Sequence, residues 1–270
     1  ANKVAKKSEL GVFDLCACKD PDLVLAKTEV GDVWGIGRKW GVWLSERGIT
    51  NALLFRDADQ GVIKKKLGIV GVRLQLELQG ISCMPFVECP PPKQNTCVSR
   101  SFGQPVTSKA ELKEAVAFYI SRAGEKLRRQ KQVTSSISVF ARSSPFKGDL
   151  YSVSRSVEMP TATNDTAEML QYALPLVDLI YVPGVEFKKA GVMMLDLRSE
   201  NAIQASLFDQ RDRGKSKQLM QAIDLINLRY GQGSVSFAAA GVGQGWRMQC
   251  GNRTARSTSE WSELRLVGVG

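Results

Sequence analysis

The sequence predicts an α+β protein: a small all-helical domain, then a βαββαβ domain, then a mixed C-terminal tail. Three observations predict it. Residues 31–84 repeat apolar side chains at helical spacing around short glycine turns. Residues 96–200 switch between alternating and helical patterns in the order strand, helix, strand, strand, helix, strand. Between them, Pro85 and Pro90-Pro91-Pro92 forbid helix and favour an extended spacer. The 270 residues, 43% of them hydrophobic, are enough for two cores. The boundaries that follow are a basic helix end with its connection over 1–30, the helical domain over 31–84, a linker over 85–95, the plait over 96–200 and the tail over 201–270.

Residues 1–9 read as the end of a basic helix, and 10–32 as a mixed, loop-like stretch around Pro21. The run from Val33 to Leu44 then sets Val33, Ile36, Trp40 and Leu44 at helical spacing. Gly35 and Gly37 permit a tight turn that brings backbone N–H groups close to an anion. The helix after them adds free N–H groups and a partial positive charge, with Arg38 and Lys39 in its first turn. This is the pattern of a helix-hairpin-helix, which holds a phosphate without reading a base. Gly35, Ile36, Gly37, Arg38 and Lys39 are its candidate contacts, and Gly41 falls where close helix packing asks for a small residue. A helical corner without a ligand has the same spacing. Val62–Leu67 and Val72–Leu78 are two further helical patterns. Asp57-Ala58-Asp59 sits in a short polar connection and reads as a solvated turn rather than a metal-binding pair.

In the plait, strands are expected at Cys97–Phe102, Thr134–Arg142, Leu150–Val157 and Phe187–Leu197. Ser108 to Glu111 is a capping box opening a helix with the stripe Leu112, Val116, Tyr119, Ala123 and Leu127. Asp165 to Glu168 opens a second helix through about Tyr181, which Pro175 should kink. The order is a split-βαβ plait with both helices on one face. Ile137, Val139 and Ala141 alternate with Ser136, Ser138 and Arg142. Val153 and Val157 alternate with Ser152, Ser154 and Ser156, and Val98 with Ser99 and Ser101. The helix-free face is therefore expected to be small and hydroxylated, with basic residues at its margins, which suits approach to phosphate oxygens. A plain solvated face is the alternative. Phe140 is the only aromatic expected there, and the lack of paired stacking aromatics argues against an RNA-binding plait. Residues 201–214 are polar and loop-like, and 216–229 form an amphipathic helix on Leu219, Ile223 and Ile226. The glycines from Gly241 to Gly245 lack the Lys-Ser/Thr of a phosphate loop.

A formal net charge of +10, spread along the chain, suggests a polyanionic partner. Arg122 to Gly148 is the most basic run, with seven Lys or Arg against Glu125 alone. The absence of histidine removes the usual general base and the commonest zinc ligand. The cysteines Cys16, Cys18, Cys83, Cys89, Cys97 and Cys250 include no CxxC pair and read as free thiols of a reducing cytoplasm. No apolar run reaches membrane-spanning length, and the start has no hydrophobic signal region.

Several segments together resemble the C-terminal part of UmuC-type Y-family translesion DNA polymerases. Asp32 to Gly37 looks like that family's thumb hairpin. Lys93-Gln94 with Cys97 to Gly103 looks like the entry to its little-finger domain, and Phe187 to Val192 like that domain's last strand. Trp246-Arg247-Met248 and Thr258 to Leu264 are similar to the family tail. The resemblance implies a DNA-binding portion that holds damaged primer–template DNA during lesion bypass in the SOS response. Its candidate little-finger contacts are Arg100, Ser101, Ser138, Arg142, Ser154 and Lys188. It implies RecA and a UmuD-type subunit as partners, and no membrane. Gln204-Ala205-Ser206-Leu207-Phe208 is similar to the peptide that docks bacterial repair proteins on the sliding clamp, with Gln204, Leu207 and Phe208 as anchors. Ala1 to Lys7 resembles the last helix of the family's palm. By the resemblance the palm, which holds magnesium on its carboxylates, precedes this chain. The chain alone is then expected to carry no catalytic residue, no metal and no nucleotidyl transfer. A stand-alone clamp adaptor from a split or truncated gene is the competing expectation.

Overall fold

A computed structural model describes residues 2–6, 11–15, 17–88, 90–148, 150–203, 209, 211–248, 254–256 and 258–264. The chain divides within the proline run into two compact units, residues 1–90 and 91–270.

The first unit is helical: α1 Asn2–Ala5, α2 Pro21–Ala26, a 3-10 turn Val30–Asp32, α3 Arg38–Ser45, α4 Ala52–Asp57 and α5 Gln60–Leu78. Helix α2 lies where the sequence suggested a loop. Pro21 starts it rather than breaking it, because proline is tolerated in the first turn, and the Asp20 carboxylate accepts the Leu23 N–H at 3.0 Å. Asn51 and Asp59 cap α4 and α5 in the same way, at 2.8 and 2.7 Å. Helix α5 takes in both predicted helical segments and is interrupted only at Gly68, where φ is 69°. Asp57 and Asp59 form the expected turn. Asp59 is spent on its cap, and the Arg56 guanidinium bonds Asp57 at 2.7 Å and holds its carboxyl below the usual range. The core gathers Val30, Ile36, Leu44, Phe55, Ile63 and Leu74, with Val33, Trp40 and Trp43 packed against it. Gly41 meets the 3-10 turn rather than a full helix. A Cβ there would stand 3.6 Å from Gly31 Cα, ordinary contact, so the site does not require glycine.

The second unit has β1 Thr96–Val106, α6 Lys109–Arg129, β2 Gln132–Ser143, β3 Ser152–Thr163, α7 Thr166–Ile180, β4 Phe187–Leu195, a two-residue β5 Arg198–Ser199 and α8 Arg213–Tyr230. The sheet order is β1-β4-β2-β3, antiparallel throughout, with β5 beside the start of β2. Both β1-α6-β2 and β3-α7-β4 are thus crossovers split by one inserted strand. Helices α6 and α7 pack on one face, over Ile137, Val139, Ala141, Ala190, Val192 and Met194. Helix α7 runs through Pro175 as one element. The two capping boxes are not both realised. Ser108 makes no side-chain cap bond. The Asp165 carboxylate accepts the Glu168 N–H at 3.0 Å, but the buried Glu168 carboxylate turns to Arg213 of α8, at 2.5 and 3.1 Å. A second charged tie joins α8 to α6, where Arg128 grips Asp224 through two bonds of 2.7 and 2.8 Å. The basic run from Arg122 is therefore partly internal, since Arg122 also pairs with Glu125 at 2.6 Å.

The tail is built into this unit. Trp246 is 3% exposed, edge-on to Phe102, Phe118 and Tyr119 with ring centroids 6.1, 5.7 and 5.8 Å away. Its carbonyl accepts the Gly103 N–H of β1 at 3.1 Å. Cys18, Cys83 and Cys97 are free thiols; Cys16, Cys89 and Cys250 lie outside the described residues. Among the described residues no helix is long and apolar enough to cross a membrane.

Candidate nucleic-acid interface

Two places offer themselves, one in each unit. In the first, the chain leaves the 3-10 turn, closes through an Ile36 N–H to Val33 carbonyl bond of 3.0 Å, and enters α3 at Arg38. Gly35 has φ +99°, and a Cβ there would come to 3.0 Å from Leu74 Cδ1, so both the backbone and the packing ask for glycine. Ile36 is the buried pin that holds the turn to the core. Gly37 occupies the cap position with no side chain to bond, which leaves the first-turn N–H groups of α3 without a side-chain cap. Arg38 and Lys39 are exposed beside them, and Trp34 at the turn is 86% exposed. The five predicted hairpin residues are thus contiguous, four outward and Ile36 inward. The element before the turn is a single 3-10 turn, shorter than the first helix of the expected motif.

In the second unit, register assigns the face. Arg142 pairs with Lys189 on one side and Ser152 on the other, and Lys189 pairs with Ser101, making one row across four strands. The next row is Ser99, Gly191, Phe140 and Ser154, and the next Cys97, Met193, Ser138 and Ser156. These rows alternate with the buried ones and form the helix-free face. Ser101, Ser138, Arg142 and Ser154 lie on it as expected, with Phe140 as its aromatic. Arg142 and Lys189 make no side-chain ion pair or hydrogen bond among the described residues, so their charge faces outward uncompensated.

Two predicted residues stand elsewhere. Arg100 pairs with buried Ala190 and so belongs to the helix side of β1, although it is exposed at that edge. Odd and even positions of a strand point to opposite faces, so Ser101 and Arg100 cannot share one. Lys188 is the extra residue of a bulge: the ladders pass from Lys189 to Phe187 while β2 advances by one, from Arg142 to Ser143. Its ammonium donates to the Phe102 and Gly103 carbonyls at 2.9 and 3.4 Å, which makes it a clasp between β4 and β1. Gln204, Leu207 and Phe208 lie outside the described residues.

Comparison with known proteins bears on the same segments. Residues 93–207, from the linker end through the whole sheet, match the impB/mucB/samB family C-terminal domain, and residues 217–267 match a domain of unknown function, DUF4113. The chain is 36% identical over 273 residues to Protein UmuC of Salmonella typhimurium strain LT2, covering 99% of this chain and 65% of that one. It is 35% identical over 249 residues to Protein SamB of Salmonella typhimurium, covering 91% and 58%. A more distant match, 24% over 212 residues, is DNA polymerase IV of Desulfatibacillum aliphaticivorans, covering 78% and 52%. Residues 93–207 are thus similar to the C-terminal domain of the impB/mucB/samB family. The chain is similar to the C-terminal part of a UmuC-type Y-family polymerase, and it spans 65% or less of the length of these relatives.

In this chain sequence reasoning missed Lys189 and Gly191. The signal for Lys189 was available in the doubled Lys188-Lys189, but which lysine faces outward depends on the bulge. Gly191 has Phe140 lying over it. A Cβ there would meet Phe140 Cζ at 2.6 Å and press on Ser99 Cβ, so the glycine lets the ring lie flat on the open face.

Proposed function

We propose that this chain is the part of a translesion DNA polymerase that holds primer–template DNA by its backbone, in the setting of SOS mutagenesis. The observation that carries the reading is the row Ser101, Lys189, Arg142 and Ser152, two outward cations flanked by small hydroxyls on a face that no helix among the described residues covers. Cations neutralise phosphates, and small hydroxyls let the backbone come close, without reading bases. The first-turn N–H groups of α3, which follow Gly35, Ile36 and Gly37 and have no side-chain cap, supply with Arg38 and Lys39 a second phosphate grip of the kind helix N-termini provide. Similarity of residues 93–207 to the impB/mucB/samB C-terminal domain, and of the chain to DNA polymerase IV of Desulfatibacillum aliphaticivorans, supports DNA as the polymer. Docking on the sliding clamp through Gln204, Leu207 and Phe208, and partnership with a UmuD-type subunit and RecA, belong to the same proposal.

The test is a competition assay with primer–template duplexes of three unrelated sequences. The expected result is equal affinity for all three, lowered alike by R142A. K188A serves as the control. It removes the clasp between β4 and β1, about 1.5 kcal/mol at the low end for a hydrogen bond from a charged group, and leaves DNA affinity nearly unchanged. Preference for one duplex sequence overturns the reading, as does a larger loss of affinity in K188A than in R142A.

A further inference from the structure

Arg100 takes part in a different arrangement. On the helix side of β1 a cavity of about 490 Å³ opens between β1, α6 and the tail, lined among others by Arg100, Tyr119, Arg122, Lys126, Trp246 and Arg247. No carboxylate is among its lining residues. Arg122 is matched by Glu125, but Arg100 and Lys126 have no ion pair among the described residues. The Arg247 guanidinium lies over the Phe118 ring at 4.4 Å, a stacking that leaves its N–H edge available. Two neutral donors complete the wall. The Tyr119 hydroxyl and the Trp246 indole N–H are buried and have no acceptor among the described residues. Burial pushes the Tyr119 hydroxyl well above its ordinary value against the pull of Arg100 and Arg247, so it stays protonated and able to donate. Three uncompensated cations, no acid and two unpaired donors suit an anion with several acceptor oxygens.

We propose that this cavity binds a phosphate group, with Arg100, Lys126 and Arg247 as its cations and Tyr119 and Trp246 as its neutral donors. The site opens at the β1 edge, where Ser101 also lines it, away from Arg142 and Lys189, and it stands whether or not their row binds DNA. The phosphate comes either from a nucleic-acid strand rounding the β1 edge or from a free phosphorylated small molecule; both present the same oxygens.

Calorimetric titration of the full chain with inorganic pyrophosphate tests it, repeated in the presence of an excess of octathymidylate. Wild type is expected to bind pyrophosphate, R100Q/K126Q to bind it at least tenfold more weakly, and Y119F a few-fold more weakly with its far-ultraviolet dichroism unchanged. R142Q/K189Q is expected to keep pyrophosphate affinity within twofold while losing duplex affinity, which separates this site from the open face. Competition by the oligonucleotide assigns the phosphate to a nucleic-acid strand; its absence, with pyrophosphate still bound, assigns it to a small molecule. No heat at millimolar pyrophosphate overturns the proposal, as does R100Q/K126Q binding like wild type or R142Q/K189Q losing pyrophosphate as well.

Discussion

Arg142 and Lys189 are direct cross-strand neighbours on β2 and β4, so the R142A/K189A double variant removes two adjacent outward charges and little else. Each phosphate neutralised on duplex DNA steepens the fall of log affinity with log salt by about 0.9, so losing two contacts should flatten the slope by about 1.8. Between about 50 and 200 mM salt, a fourfold range or about 0.6 log units, this is about 1.1 log units of affinity. Wild type should therefore lose about twelvefold more affinity over that range than the double variant. Fluorescence anisotropy of a labelled primer–template across four or five salt concentrations reads the two slopes directly. Parallel lines would refute the reasoning even if the variant bound more weakly at every point, because a parallel offset means lost shape or stability rather than lost phosphate contacts.

Two further outcomes are expected of the fold itself. W246A should destabilise the second unit by about 2–4 kcal/mol, the usual cost of removing a buried tryptophan less what is regained by deleting its unpartnered indole N–H, whereas W246F should cost much less. Urea unfolding followed at the second unit checks this, and a change under about 0.5 kcal/mol, the range of ordinary surface substitutions, would mean that the tail is not seated there. Asp178 of α7 is held below the usual carboxylate range by the Lys113 hydrogen bond, with Lys109 helping. Its folded value lies under its unfolded one, so the pair stabilises the fold above the unfolded value of about 3.9 and ceases to as pH falls through the folded value. D178N should therefore be less stable than wild type at pH 7 and converge with it below about pH 4; a gap that stays constant with pH would contradict the assignment.

The strands and helices of the plait were legible because their patterns are long and their apolar positions strictly periodic. Ile137, Val139 and Ala141 declare one face of β2, and Leu112 to Leu127 one stripe of α6. What was not legible depends on contacts between distant segments. Arg100 and Ser101 look equivalent as neighbours in a basic, hydroxylated strand, and only the pairing with Ala190 and Lys189 separates them. Lys188 and Lys189 look interchangeable until a bulge turns one of them onto the β1 carbonyls. Glu168 fits the return half of a capping box, yet Arg213, forty-five positions on, offers a stronger partner. Pro21 illustrates a different difficulty. The same residue starts helices and ends them, and the Asp20 cap that decides between the two looks, in sequence, like part of a polar loop.

The contact between Trp246 and Gly103 has a consequence for how the molecule behaves in company. β1 is an outer strand, and an outer strand presents unpaired N–H and C=O groups that a second chain can extend into a larger sheet. Here the row is interrupted: the tail takes the Gly103 N–H, Pro105 has none to give, and the ladder slips between Ser101 and Val106. The tail thus acts as a guard rail along the rim of the sheet. A substitution that unseated Trp246 would leave the plait folded but with a live rim, and its first symptom would be self-association that rises with protein concentration.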